Sequence, residues 1–474
     1  MSIRVIVCLL AVIGFSIYAW RNWFVSLCAA VVLMAFLQHP DMPKSIGGIQ
    51  GLNLWNVLYI NVFLAWFRER SLDIRQPALG KALKMALLLY CGVIFIGCAR
   101  ALIEPTRYYE GGPASLLIDY LVNPLKFLSL CLLAFYASRT RTRTAVLLGC
   151  ILLLYFLLAV QVTKGMGLHF DLSGEELDSH GAKVVSRSVG YHRVEMSMML
   201  AGASWAFIAY ARLVSRWIVR WGLFAAAGAI VLAQGLTAGR SGYVSWGVVG
   251  LILCVIKWRR MLPVLPVAAV AMILLVPGIG ERMFAGFGQN AGPIVTRSDS
   301  SKMTSGRTVI WPHVIKKIRK SPLIGYGRIA MVRTGLFGWL KDELGEEFQH
   351  PHNAYFEVLL DNGILGLACV VPIYLLAARR SISLFLDRGD RLFEVAGGVA
   401  LALILALLAG GIGGQTFYPR EGVVGMWAAI GVAMRVWVER EQARVANDNA
   451  LVEQQVAEFR ESQISDPASI PALG

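Results

Sequence analysis

The amino-acid sequence predicts an all-α polytopic membrane protein, and three observations carry that prediction. Hydrophobic residues fill 57% of the 474 positions and charged residues only 16%, the mean hydropathy is +0.60, and apolar runs recur from residue 4 to residue 437. A soluble globular chain of this length does not have that composition, whereas about 20 apolar residues at about 1.5 Å rise suit a bilayer core of roughly 30 Å.

In chain order the runs lie near 4–19, 22–37, 51–67, 82–103, 115–137, 144–162, 194–213, 217–235, 242–256, 261–279, 353–378, 394–414 and 422–437, so about twelve or thirteen transmembrane helices are expected. The first two and the last are short. The opening Met-Ser-Ile-Arg and its apolar run resemble a signal peptide, but no small-residue cleavage site follows. Trp20-Arg-Asn-Trp leads straight into the next run, so the segment reads as an uncleaved span.

Lys and Arg collect in alternate connections: Phe67-Arg-Glu-Arg through Lys84, Ser138-Arg-Thr-Arg-Thr-Arg, Arg212 to Arg220, Lys257-Trp-Arg-Arg, and Arg379-Arg380 with Arg388 to Arg391. Short cation-rich loops stay cytoplasmic. The alternate connections, near 104–114, 163–193, 236–241 and 415–421, then face outside, together with a polar stretch at 280–352. Four regions follow: a transmembrane bundle at 1–279, a large, mainly helical periplasmic loop at 280–352, C-terminal transmembrane helices at 353–437, and a cytoplasmic tail at 438–474. In the tail, Glu439 to Glu461 has helical composition and the Pro-containing end reads as disordered.

The polar loop is itself basic, with eleven Lys and Arg against six Asp and Glu from Gly280 to His352. A long loop can simply escape the charge rule; alternatively, its cations hold an anionic ligand, as arginine does with phosphates. The eight cysteines all fall in apolar runs and read as small buried hydrophobes, with no disulfide framework. No Walker loop, His-Glu-x-x-His, Cys-x-x-Cys or Gly-x-Ser-x-Gly is present. His350 and His352 lie two apart, unlike helical zinc ligands, and no nearby Cys or carboxylate completes a metal site. No metal, cofactor or nucleic-acid partner is expected.

Ionisable residues at span ends are expensive in hydrocarbon and point to partners or sites. Arg187, Arg193 and Glu195 surround Gly190 before the run at 194, and Arg240 sits in Leu236-Thr-Ala-Gly-Arg-Ser-Gly, a glycine-bounded break between two runs. Arg240 is either a snorkelling corner residue or a ligand-binding one, and the flanking glycines favour the second. Arg193 and Glu195 could instead pair with each other or with neighbours.

Two further blocks complete a pattern. Gly306-Arg-Thr-Val-Ile-Trp leads to Ser321-Pro-Leu-Ile-Gly-Tyr-Gly, and His352-Asn-Ala-Tyr-Phe-Glu precedes Asp361-Asn-Gly-Ile-Leu-Gly. With Arg240-Ser-Gly, these blocks resemble the O-antigen ligase and O-antigen polymerase superfamily of bacterial polysaccharide enzymes. The resemblance covers about 187–370. It departs after Gly190, where Tyr191-His-Arg-Val-Glu replaces an expected Pro-Asn pair and leaves the roles of Arg193 and Glu195 open.

The resemblance implies a multi-pass protein of the bacterial inner membrane. It would take a glycan from an undecaprenyl-diphosphate carrier at the periplasmic face and pass it to an acceptor glycan or the lipid A core. Residue chemistry fits this independently. Arg187, Arg240 and Arg307 are candidates to hold the diphosphate, and His352 to act as the base on an acceptor hydroxyl, with Arg193, Glu195 and Asn353 in support. His352 could instead be an interface residue that caps the next span with Asn353. Gly325-Tyr-Gly reads most simply as a turn, with phosphate cradling as the alternative. Other readings are a lipid-linked sugar transporter or flippase, and a protein O-oligosaccharyltransferase.

Overall fold

The computed structural model describes residues 2–49, 51–72, 79–103, 111–167, 172–284, 307–345 and 348–465. In order these form α1 (Ile3–Ala19), α2 (Trp23–Leu37), α3 (Leu54–Leu72), α4 (Lys81–Ile103), α5 (Pro113–Ala137, with a π turn at Ile118–Val122) and α6 (Arg141–Met166). There follow α7 (Gly174–Val184), α8 (Arg193–Tyr210), α9 (Trp217–Leu236), α10 (Arg240–Ile256), α11 (Val264–Leu275) and α12 (Pro277–Phe284). The last six are α13 (Arg307–Lys320), α14 (Ala330–Arg333), α15 (Leu336–Leu344), α16 (Ala354–Phe385), α17 (Arg391–Gly410) and α18 (Val424–Ser465). The described residues contain no strand, and the all-α expectation holds.

Every expected apolar run is helical, but among the described residues fewer helices than twelve or thirteen are long and apolar enough to cross a membrane. Eight qualify: α4, α5, α6, α8 with its following turn, α9, α16, α17 and α18. The pair α11 and α12, bent by 111° at Val276, would make nine as one broken span. Helices α1, α2 and α10 have 17, 15 and 17 residues, which at about 1.5 Å each falls short of roughly 30 Å. Helix α3 loses its apolar character at Arg68-Glu-Arg70. The tail's helical stretch continues α18 without a break to Ser465, and the expected disordered end lies outside the described residues, as does 285–306 of the large loop.

Lipid is as apolar as leucine, so close packing rather than hydrophobicity holds membrane helices together. Helix α8, largely enclosed, meets the equally enclosed α17 through small residues. A Cβ on Gly202 would lie 2.7 Å from Ala406 Cβ, and one on Gly398 2.9 Å from Ala209 Cβ. At the ends of these helices remote from Arg193, Arg240 and Ala354, ion pairs tie elements together: Lys257 and Arg212 to Glu394, Arg141 to Asp390, and Arg440 to Asp387.

Helices α13–α15 form a small second core on the start of α16, with Ile310, Val314, Ala330, Met331 and Leu340 packed against Leu360. The two motif blocks meet here. Helix α16 is broken at Gly363 (φ 67°, ψ −167°), and the chain at 322–327 runs along the break. Ile364 and Leu365 N–H donate to Pro322 and Leu323 O (2.8 and 3.1 Å), while Tyr326 and Gly327 N–H donate to Leu360 and Asp361 O (2.9 and 2.6 Å). A Cβ on Gly325 would stand 2.6 Å from the Leu360 carbonyl oxygen. Gly325-Tyr-Gly is therefore a backbone docking element that satisfies the interrupted helix.

Candidate functional site

A cavity of about 150 Å³ opens where α8, α10, α12, α13 and the segment before α16 converge, and its walls include His192, Arg193, Arg240, Arg282, Arg307 and His352. Local sequence explains each placement. After α9, Thr237 Oγ donates to Gln234 O (2.7 Å), Ala238 turns left-handed (φ 55°), and α10 starts against α8 so tightly that a Cβ on Gly242 would overlap Ser197 Oγ. Ser197 Oγ donates to Gly239 O (3.0 Å). The glycines around Arg240 thus allow the close approach that sets Arg240 beside Arg193.

Arg307 opens α13 and donates from a terminal nitrogen to Gly413 O (3.0 Å). One turn later on the same face, Trp311 Nε1 donates to Pro351 O (3.0 Å) and its ring packs edge-on against Phe356 (5.4 Å). The Arg and Trp of this block therefore act together, one at the pocket and one bracing the histidine segment.

His352 is held in the left-handed region (φ 49°), with its N–H on His350 Nδ1 (3.3 Å) and its ring packed edge-on against Phe348 (4.9 Å). Asn353 is the N-cap of α16; its side chain accepts from Tyr355 and Phe356 N–H (3.0 and 3.1 Å). Burial, together with the neighbouring ring of His350 and with Arg307, pushes His352 down to about 3, and burial with Arg420 pushes His350 down to about 3. Both imidazoles are neutral near pH 7. Burial and the nearby Arg193 hold the Arg307 guanidinium below its ordinary value.

Two residues that sequence reasoning missed complete the pocket. Arg282, at the end of α12, pairs with Asp178 Oδ1 on α7 (2.7 Å), and Arg193 pairs with the same oxygen. Helix α7 begins with a capping box at Ser173 and Glu176, and packs so closely on the turn after α9 that a Cβ on Gly181 would lie 2.9 Å from Leu236 O. The only sequence hint for Arg282 was its place at a span end; nothing local marks Asp178. Arg282 Nε, Arg307 Nε and Ser241 Oγ are buried without a hydrogen-bond partner among the described residues.

The structure thus brings Arg193, Arg240, Arg307 and His352 together around one cavity. Arg187 is exposed on the π turn Val185–Val189 and does not line it. Glu195 turns to the other side of α8, against Gly422, because residues two apart on a helix do not share a face.

Fold and pocket together define a multi-pass helical membrane protein with a concentrated cationic site at one end of its helices. Residues 223–371 match the family model described as O-antigen ligase. The matched segment runs from α9 past the Gly363 break and contains Arg240, Arg282, Arg307 and His352, so the O-antigen ligase and polymerase resemblance is carried by the site-bearing part of the chain. No curated protein matches the chain.

Proposed function

We propose that the protein transfers a glycan from an undecaprenyl-diphosphate carrier at the periplasmic face of the inner membrane, acting as a polysaccharide polymerase or O-antigen ligase. The observation that carries this reading is the convergence of four arginines from four helices on one cavity whose wall includes a neutral histidine. A diphosphate spreads negative charge over several oxygens, and guanidinium groups match it bidentately without losing their protons.

In the transfer step the acceptor hydroxyl oxygen bonds to the anomeric carbon, and the bond from that carbon to the diphosphate oxygen breaks. The hydroxyl proton passes to His352, and the departing diphosphate keeps the electron pair under Arg240, Arg307, Arg193 and Arg282. Burial first, and then His350 and Arg307, hold His352 neutral; a bound diphosphate offsets the arginine's share and raises the affinity of His352 for the proton it must take up. Asn353 fixes the start of α16 and so the position of His352.

The test is complementation of a deletion strain with Arg240→Ala, Arg307→Ala and His352→Ala, followed by gels of lipopolysaccharide and secreted polysaccharide. Loss of all capped core identifies a ligase, a core bearing a single repeat identifies a polymerase, and loss of secreted polymer alone moves the acceptor to an exopolysaccharide. Wild-type glycan from all three variants overturns the proposal.

A further inference from the structure

A second cavity, of about 590 Å³, lies on the far side of His350, within the usual size of small-molecule sites, and nothing in the handling of the diphosphate uses it. His350, Pro351, Glu357, Gln415 and Arg420 contribute to its walls, and the rings of Tyr120 and Phe337 supply apolar faces. The rings of His350 and His352 are 4.1 Å apart, so the short segment 350–352 has one histidine on each cavity.

The polar groups here are set for hydroxyl recognition. Glu357 is 3% exposed. Its Oε1 accepts from Arg328 (2.7 Å) and Gln415 (2.9 Å), while its Oε2 is buried without a hydrogen-bond partner among the described residues. An orphaned carboxylate oxygen is costly and is relieved by a ligand that donates to it. On the facing wall, His350 Nδ1 accepts the His352 N–H, so the neutral ring carries its proton on Nε2 and offers a donor. A hydroxyl both donates and accepts, and the ring of Phe337 suits the C–H face of a pyranose.

We propose that this second cavity binds the terminal sugar of the acceptor glycan, with Glu357 accepting from its hydroxyls and His350 donating to them. The inference rests on the donor assignment made above. Displacement at the anomeric carbon needs the incoming hydroxyl opposite the departing diphosphate. A sugar beyond His350 lies across the 350–352 segment from Arg193, Arg240, Arg282 and Arg307.

The test uses the full-length protein in nanodiscs, with membranes of the deletion strain as the source of lipid-linked donor and unextended acceptor, and undecaprenyl diphosphate as the donor-site probe. His350→Ala removes the proposed donor, and Gln349→Trp obstructs the exposed mouth without touching the buried network. Both are expected to raise the acceptor KM by roughly tenfold or more, about the factor of a lost hydrogen bond in a desolvated site, while undecaprenyl diphosphate binds within about twofold of wild type. An unchanged acceptor KM in both variants overturns the inference and leaves the donor reading standing. Arg240→Ala and Arg307→Ala that still bind undecaprenyl diphosphate as wild type overturn the donor reading, and this inference with it.

Discussion

The two cavities flank the same three residues, 350–352, yet Arg328 of the larger and the arginines of the smaller sit in opposite electrostatic settings. In the larger, Arg328 is 3% exposed and paired with two acids: Glu357 and Asp361 accept from one of its terminal nitrogens at 2.7 and 2.6 Å, and Tyr418 lies under its guanidinium at 3.6 Å. In the smaller, Arg193, Arg240, Arg282 and Arg307 converge, and two of them, Arg193 and Arg282, share the carboxylate of Asp178. A cation already matched to buried anions is architecture. Guanidinium groups gathered this closely repel one another, and that repulsion falls when an anionic ligand arrives.

The sharpest way to break the comparison is His352→Ala. If the smaller cavity is where the proton moves, turnover falls by about 10²–10⁴ while thermal stability in detergent stays near wild type. A variant that unfolds, or that turns over normally, would erase the functional side of the contrast. Arg328→Ala should do the reverse. It leaves Glu357 and Asp361 buried and unpaired, at about 3–5 kcal/mol, visible as a large drop in melting temperature and in the amount of folded protein.

Arg240→Ala tests the cationic cavity alone: weakening of undecaprenyl diphosphate binding by about 1.5–3 kcal/mol, as for a hydrogen bond to a charged group, with little change in stability. Asn353→Ala removes a cap and should cost about 1 kcal/mol of stability, with a loss of turnover that tracks the displacement of His352. A further effect is on pH dependence. With His350 and His352 both down to about 3, against about 6.5 in an unfolded chain, the unfolded state binds more protons below pH 6.5. Stability is full above that value and declines as the pH falls from about 6.5 toward 3. In the same range kcat/KM for the free enzyme should lack an acid limb near 6.5, and a clear limb there would show that His352 is not the group titrating in the empty site.

Much of this was legible in the sequence. Arg240 was marked by its glycines, which the structure uses for the approach to Ser197; Arg307 and His352 were marked by blocks whose Trp311 and Asn353 hold the pocket wall. The reason the blocks occur together was not legible, since it lies in backbone hydrogen bonds between 322–327 and the Gly363 break, which no local pattern encodes. Asp178 was invisible for the same reason: its worth comes from arginines on two other helices. Arg187 and Arg193 are close in sequence, but the five residues between them include a left-handed Gly190 (φ 91°), and the two point in unrelated directions. Among the described residues eight helices, or nine with the bent pair, are long and apolar enough to cross, against twelve or thirteen apolar runs, because hydropathy sees the runs whereas this count also requires length.

The break at Gly363 acts as a depth gauge. The portion of α16 from 364 to 385 is by itself long enough, at about 1.5 Å per residue, for roughly 30 Å of hydrocarbon. The turns before it, which bear Glu357 and Asp361, need not enter lipid at all. One continuous helix would have carried two acids and their arginine toward the membrane interior; the interruption, sealed by the passing chain at 322–327, lets the same stretch end the lipid-crossing span and begin the wall of a water-facing chamber.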